Sequence, residues 1–142
     1  MKLYVLDTDV AGFVQSHHQR VTERINSLPD EDTIAVTVVA FGKDLGGWLP
    51  SCRRARNGQM RARAYARLQQ GLDFYRGMIC LPFDDVPAAI FDRLRAHKIR
   101  VGTNDLAIAA IVLSVNGILI TRNTADFQKV PGLVLEDWTI AI

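Results

Sequence analysis

Asp7, Asp105 and Asp126 are far apart along the chain, yet each lies where an apolar segment gives way to polar residues. Asp7 ends the run KLYVL, Asp105 stands in GTND ahead of LAIAAIVLSV, and Asp126 follows ILIT by a few residues. Carboxylates gathered at one edge of a sheet repel one another, and their pKa values rise unless a cation intervenes. Oxygen-only ligands of this kind suit Mg²⁺ or Mn²⁺, held by a few carboxylates with water in the remaining positions. Such an ion acidifies water and stabilises charge on a phosphodiester in transit. No Ser or Cys sits beside a candidate base, so water is preferred to a protein nucleophile.

The elements that must position these acids alternate in type. Lys2–Leu6 reads as a short buried strand stopped by the polar DTD at 7–9. A helical pattern through Val14, Val21 and Ile25 ends near Asn26-Ser27. Thr33–Val39 is a second β-branched run, passing into a helix near Phe41. From Asp44 to Gly77 the composition suits long helices, broken at Asn57-Gly58. Met78–Phe83 is a third strand candidate. Asp85–His97 is an amphipathic helix with Val86, Ile90 and Leu94 at four-residue spacing. Asp105–Val115 is apolar nearly all round and predicts a central buried helix. Thr103 or Asn104 can cap it, and Gly117 ends it. Ile118–Thr121 is a fourth strand, and Gly132–Leu135 a short fifth before an apolar tail. Strands alternating with helices predict one α/β domain over residues 1–142, with a central, mostly parallel sheet covered on both faces. Sites in such sheets form outside the carboxyl ends of the strands. Asp7 and Asp9 follow the first strand, the helix carrying Gly42, Lys43 and Asp44 the second, and Thr121, Arg122, Asn123 and Asp126 the fourth, while the N–H dipoles at the start of the buried helix favour an anion beside Asp105.

Composition removes several classes. With 142 residues, 49% apolar and 23% charged, the chain is an ordinary globular length and neither disordered nor membrane-spanning in pattern. Asp7 and Asp9 interrupt the N-terminal apolar stretch, which excludes a signal peptide; a cytoplasmic protein is expected. Cys52 and Cys80 are too few for a disulfide framework and too far apart for a metal knuckle. No G-x-G-x-x-G follows the first strand, which removes dinucleotide binding. A phosphoacceptor receiver has no place for the GTND helix start.

The sequence resembles the PIN-domain ribonucleases of the VapC toxin type over essentially its whole length. LDTD at 6–9 matches the family's opening acidic motif, VGTNDLAIAA at 101–110 its central motif, and ITRNTADFQKVPGLVLEDW at 120–138 its closing motif. The resemblance implies a three-layer α/β/α fold and a divalent-metal-dependent endoribonuclease of a toxin–antitoxin pair. It makes Asp7 and Asp105 metal ligands, Asp126 a further acid of the site, and Thr121 and Asn123 supporting polar groups. Mg²⁺ or Mn²⁺ is the implied cofactor. RNA is the implied substrate, a cognate antitoxin the implied partner, and a homodimer the implied assembly.

One position departs from that pattern. Family members carry a glutamate four residues before a glycine in the helix after the second strand, and here the count back from Gly47 lands on Lys43. Three arrangements are open. Lys43 turns out to solvent, its ammonium reaches in and takes the space of a cation, or a shifted helix start lets Asp44 serve. A binding module that holds antitoxin or RNA without cutting is the alternative function.

The net charge is only +2, but Arg53, Arg54, Arg56, Arg61, Arg63 and Arg67 crowd a segment free of acids. That run reads either as a solvated helix face or as a surface that positions RNA phosphates. His17, His18 and His97 read as structural, and Trp48 and Trp138 as packing residues.

Overall fold

The structure, a computed structural model, describes residues 1–140 of the chain. Five apolar runs form one all-parallel sheet in the order β3-β2-β1-β4-β5, with β1 (Leu3–Leu6) at its centre. The others are β2 (Thr33–Thr37), β3 (Ile79–Leu81), β4 (Ile118–Ile120) and β5 (Val134–Glu136). Between them run α1 (Thr8–Gln15), α2 (Gln19–Asn26), α3 (Val38–Arg54), α4 (Gly58–Arg76), α5 (Asp85–Ala96), α6 (Thr103–Ser114) and α7 (Thr124–Phe127). The expected α/β architecture, helices covering both faces of a parallel sheet, is what the chain adopts. The rest of the apolar tail, Ala141 and Ile142, lies outside the described residues.

Period-two alternation on the central strands splits the core into two layers. Tyr4, Leu6 and Ile120 pack on one face with Val10, Ala11, Val21, Tyr75 and Trp138. Val5 and Leu119 pack on the other with Ile108, Ala109, Val112 and Phe127. Burial of each such aliphatic side chain contributes roughly 1.5–3 kcal/mol. Helix α6 buries its length from Leu106 to Val112 nearly continuously, which explains its apolar composition on all sides. No helix of the described residues is long and apolar enough to cross a membrane.

Four expectations change. The single N-terminal helix is two, because His17 takes a left-handed conformation (φ 59°) that ends α1. The N–H of His18 then bonds to Phe13 O and that of His17 to Val14 O, the paired bonds of a Schellman turn. His18 Nδ1 accepts from the Val21 N–H at 3.3 Å and caps α2. Next, β2 stops at Thr37, whose buried hydroxyl accepts from the Ala40 N–H at 3.0 Å; Val38 and Val39 therefore open α3 despite their β-branching. Third, α6 is capped at Gly102, with no side-chain bond from Thr103 or Asn104. Last, α6 ends on Asn116 in the left-handed region (φ 52°), while Gly117 is required for a different reason. A Cβ on Gly117 would stand 3.1 Å from Val5 Cγ2 and 3.3 Å from Leu3 O, so only glycine lets this turn lie against β1.

Candidate active site

The sheet order places the carboxyl ends of β1 and β4 side by side, where connections leave in opposite directions and a crevice opens. Asp7 follows β1 directly and caps α1, its Oδ1 accepting from the Thr8 N–H at 2.8 Å. Its Oδ2 accepts from the Thr121 hydroxyl, also at 2.8 Å. Thr121 is fully buried, and its own Oγ1 accepts from the Asn123 N–H at 2.9 Å. One hydroxyl thus fixes both the carboxylate and the start of the next turn.

Burial pushes the Asp7 carboxyl up to about 6; the charges of Asp9 and Asp105 push the same way, while the bonds from Thr121 and Thr8 oppose them. Asp105, in the first turn of α6 and half-buried, is also raised. Burial is the main cause, with Asp126 and Asp9 adding to it, and the ammonium of Lys43 works against it. Asp126 lies in α7, the short helix that follows β4. It accepts from Asn123 Nδ2 at 3.1 Å and from Lys129 Nζ at 3.3 Å, and these bonds hold it below the usual carboxylate range. Asn123 is therefore the amide that aims Asp126, as Thr121 is the hydroxyl that aims Asp7.

The acids form a chain of neighbours, not a closed ring. Asp105 feels both Asp126 and Asp9, whereas the charges acting on Asp7 come from Asp9 and Asp105. Among the described residues no three His, Cys, Asp or Glu side chains gather closely enough to enclose a metal ion. The donor set nevertheless suits a small hard cation. Two buried or half-buried carboxylates, both raised by burial and by neighbouring negative charge, are the groups a bound divalent ion would relieve. Mg²⁺ in particular is commonly held by one or two carboxylates and keeps several waters.

Lys43 and Asp44 separate around α3. The helix begins three residues before Phe41, which puts Lys43 in its second turn. Lys43 is exposed and makes no ion pair within 4 Å among the described residues, yet its charge reaches Asp105. Asp44 points elsewhere: its Oδ2 accepts from Gln15 Nε2 at 3.3 Å and lies against Gly71 of α4. There it helps to raise the pKa of the buried Tyr75 phenol, of which burial is the larger cause.

Asp9 is the acid that sequence reasoning noted behind the first strand but gave no role in the site. Its Oδ1 accepts the Val10 N–H at 2.7 Å in the first turn of α1, and its charge falls on both Asp7 and Asp105. The signal was present in LDTD, where the second aspartate follows the strand by only two residues.

No protein-family model matches the chain. Ribonuclease VapC1 of Haemophilus influenzae strain R2866 is 26% identical over 140 residues, covering 96% of this chain and 98% of that protein. The structure of VapBC2 from Rickettsia felis, bound to a DNA fragment from their promoter, superposes with a TM-score of 0.76 at 21% identity, over 96% of this chain and 98% of that one. A chain of VapBC-5, a member of the VapBC family of toxin–antitoxin systems from Mycobacterium tuberculosis, is 31% identical over 96% of this chain and 98% of its own, with a TM-score of 0.59.

Proposed function

Because the chain belongs to the VapC family of PIN-domain proteins, we propose that it is the toxin of a toxin–antitoxin pair and a divalent-metal-dependent endoribonuclease. The observation that carries this reading is the buried Asp7 carboxylate, clamped by Thr121 and raised to about 6 beside Asp105. Its cap on α1 and its bond from Thr121 do not offset its burial, since the pKa stays raised, and a helix cap alone does not require a buried carboxylate with further acids beside it.

In this reading Asp7 and Asp105 hold Mg²⁺ or Mn²⁺. When bound, the ion supplies an acidified water and neutralises charge on the phosphodiester. Thr121 keeps Asp7 Oδ2 directed at the site, and Asn123 does the same for Asp126. Asp126, half-exposed and held in its charged form, is a weak base; it orients the attacking water or takes part in holding a second ion, and is not the main proton acceptor. The cognate antitoxin is the protein partner, as the VapBC structures among the relatives suggest, and a homodimer is the assembly the family resemblance implies.

Lys43 supports a second reading, a binding module with impaired catalysis. Its positive charge already acts on Asp105, and a like charge at that edge disfavours an incoming cation. Cleavage of total RNA with Mn²⁺ or Mg²⁺ by wild type, Asp7→Asn and Lys43→Glu separates the two. Cutting by wild type that is lost in Asp7→Asn and in EDTA supports the nuclease. Cutting by Lys43→Glu alone sinks it in favour of the binding module.

A further inference from the structure

The helical hairpin rising from the site carries an unneutralised positive tip. Helix α3 leaves the sheet at Thr37 and runs away for 17 residues, and α4 returns over 19. Arg53 and Arg54 end α3, Arg56 lies in the turn, and Arg61, Arg63 and Arg67 line α4; all six are exposed. No acid occurs between Asp44 and Asp73, and none of the six makes an ion pair among the described residues. A solvated helix face ordinarily mixes signs; this one does not.

The arrangement also has features that suit nucleic acid. Every charge is a guanidinium, whose planar fork matches phosphate bidentately. Arg61 Nη2 donates to Ala55 O at 3.4 Å, and the Arg67 guanidinium stacks 4.4 Å over Trp48, so two of the six are pre-positioned. Tyr65 stands one turn from Arg61 with about half of its surface exposed (49%), an aromatic face available to a base. At about 1.5 Å per residue, the end of α3 stands ~25 Å from its start beside the acids. A stacked strand at about 3.4 Å per nucleotide needs roughly seven nucleotides to cover that span.

We propose that the α3–α4 tip is a docking arm for the phosphates of the RNA strand, engaging it about seven nucleotides from the acidic crevice. The inference rests on the nuclease reading for the position of the scissile bond, but not for the binding itself. The crevice without its ion repels phosphate; the tip attracts it, and so the arm holds RNA before and independently of cleavage.

The test is fluorescence anisotropy in EDTA with the Asp7→Asn protein, comparing 4- and 15-nucleotide RNAs and a poly-glutamate peptide across a salt series. Arg53, Arg54 and Arg56 are changed together to Gln, with circular dichroism confirming the fold. For the longer RNA the triple variant is expected to bind at least tenfold more weakly near 0.1 M salt. Its log–log salt slope should fall by about 2, since each single-strand phosphate contact contributes ~0.7. The 4-nucleotide RNA should show no such length-dependent gain in wild type. An unchanged slope overturns the arm even if cleavage by the otherwise unaltered protein persists. Equal affinity of wild type for poly-glutamate and for the longer RNA also overturns it, in favour of an acidic protein segment. Binding as expected, together with no cleavage by the unaltered protein supplied with Mn²⁺ or Mg²⁺, leaves the arm standing and removes the nuclease reading instead.

Discussion

At the scale of single residues, the site is governed by how much charge a buried edge tolerates. Asp7 ionises near pH 6 in the folded protein and near 3.8 as an ordinary aspartate, so between those values the folded state holds the additional proton. Its contribution therefore opposes folding above about pH 6 and is relieved as the pH falls towards 4. In EDTA, Asp7→Asn is expected to raise the melting temperature at pH 8, by the equivalent of roughly 2–3 kcal/mol, with the gap closing by pH 4; a pH series of thermal melts reads it. Thr121→Val removes the 2.8 Å bond to Asp7 and leaves two partners unsatisfied. It should cost about 1–3 kcal/mol in urea unfolding, with Thr121→Ser restoring most of it. Asp7 was visible in sequence because a polar residue that ends a buried run has few structural excuses, and Asp105, itself at a helix start, was legible by its company with Asp7 and Asp126. Asp9 was given no role, because it stands in the turn that Asp7 caps, and an acid there is so often only part of the helix start.

At the scale of elements, the strand and helix types were legible from periodicity, while their ends were set by caps that periodicity does not record. Thr37 belongs to a β-branched run in sequence, but its side chain turns back to Ala40 and starts a helix. His17, Lys98 and Asn116 all adopt left-handed conformations after helices where glycine is the usual signal. The glycines that are present do different work, and two opposite outcomes follow. A Cβ on Gly47, inside α3, would meet nothing within 4 Å, so Gly47→Ala should stabilise by about 0.5–1 kcal/mol through the unfolded state. Gly117→Ala drives a methyl into β1 and should destabilise by about 1–3 kcal/mol. Paired urea midpoints on the two variants decide whether these positions are read correctly.

At the scale of the whole molecule, alternation of strands and helices announced a parallel sheet, but nothing in the sequence said which strand would lie beside β1. That choice is made by shape, through Gly117 admitting the α6–β4 turn against Leu3 and Val5. It brings Thr121 to Asp7, on which the charge of Asp105 acts, so an ion held by the two acids would tie β1 to α6. Saturating Mn²⁺ should raise the melting temperature at pH 8 by several degrees. The shift should shrink as pH falls through about 6, where Asp7 takes up a proton; an equal shift at pH 5 would rule out Asp7 as a ligand. The bond between Thr121 and Asp7 spans 114 positions of chain, and β4 lies between β1 and β5, so the last two strands reach the rest of the sheet through β1. During translation, then, a ribosome that has made the first hundred residues has produced most of the helices and none of the completed crevice. On the nuclease reading, a chain still being translated lacks the crevice with which it would cut the messenger it is read from.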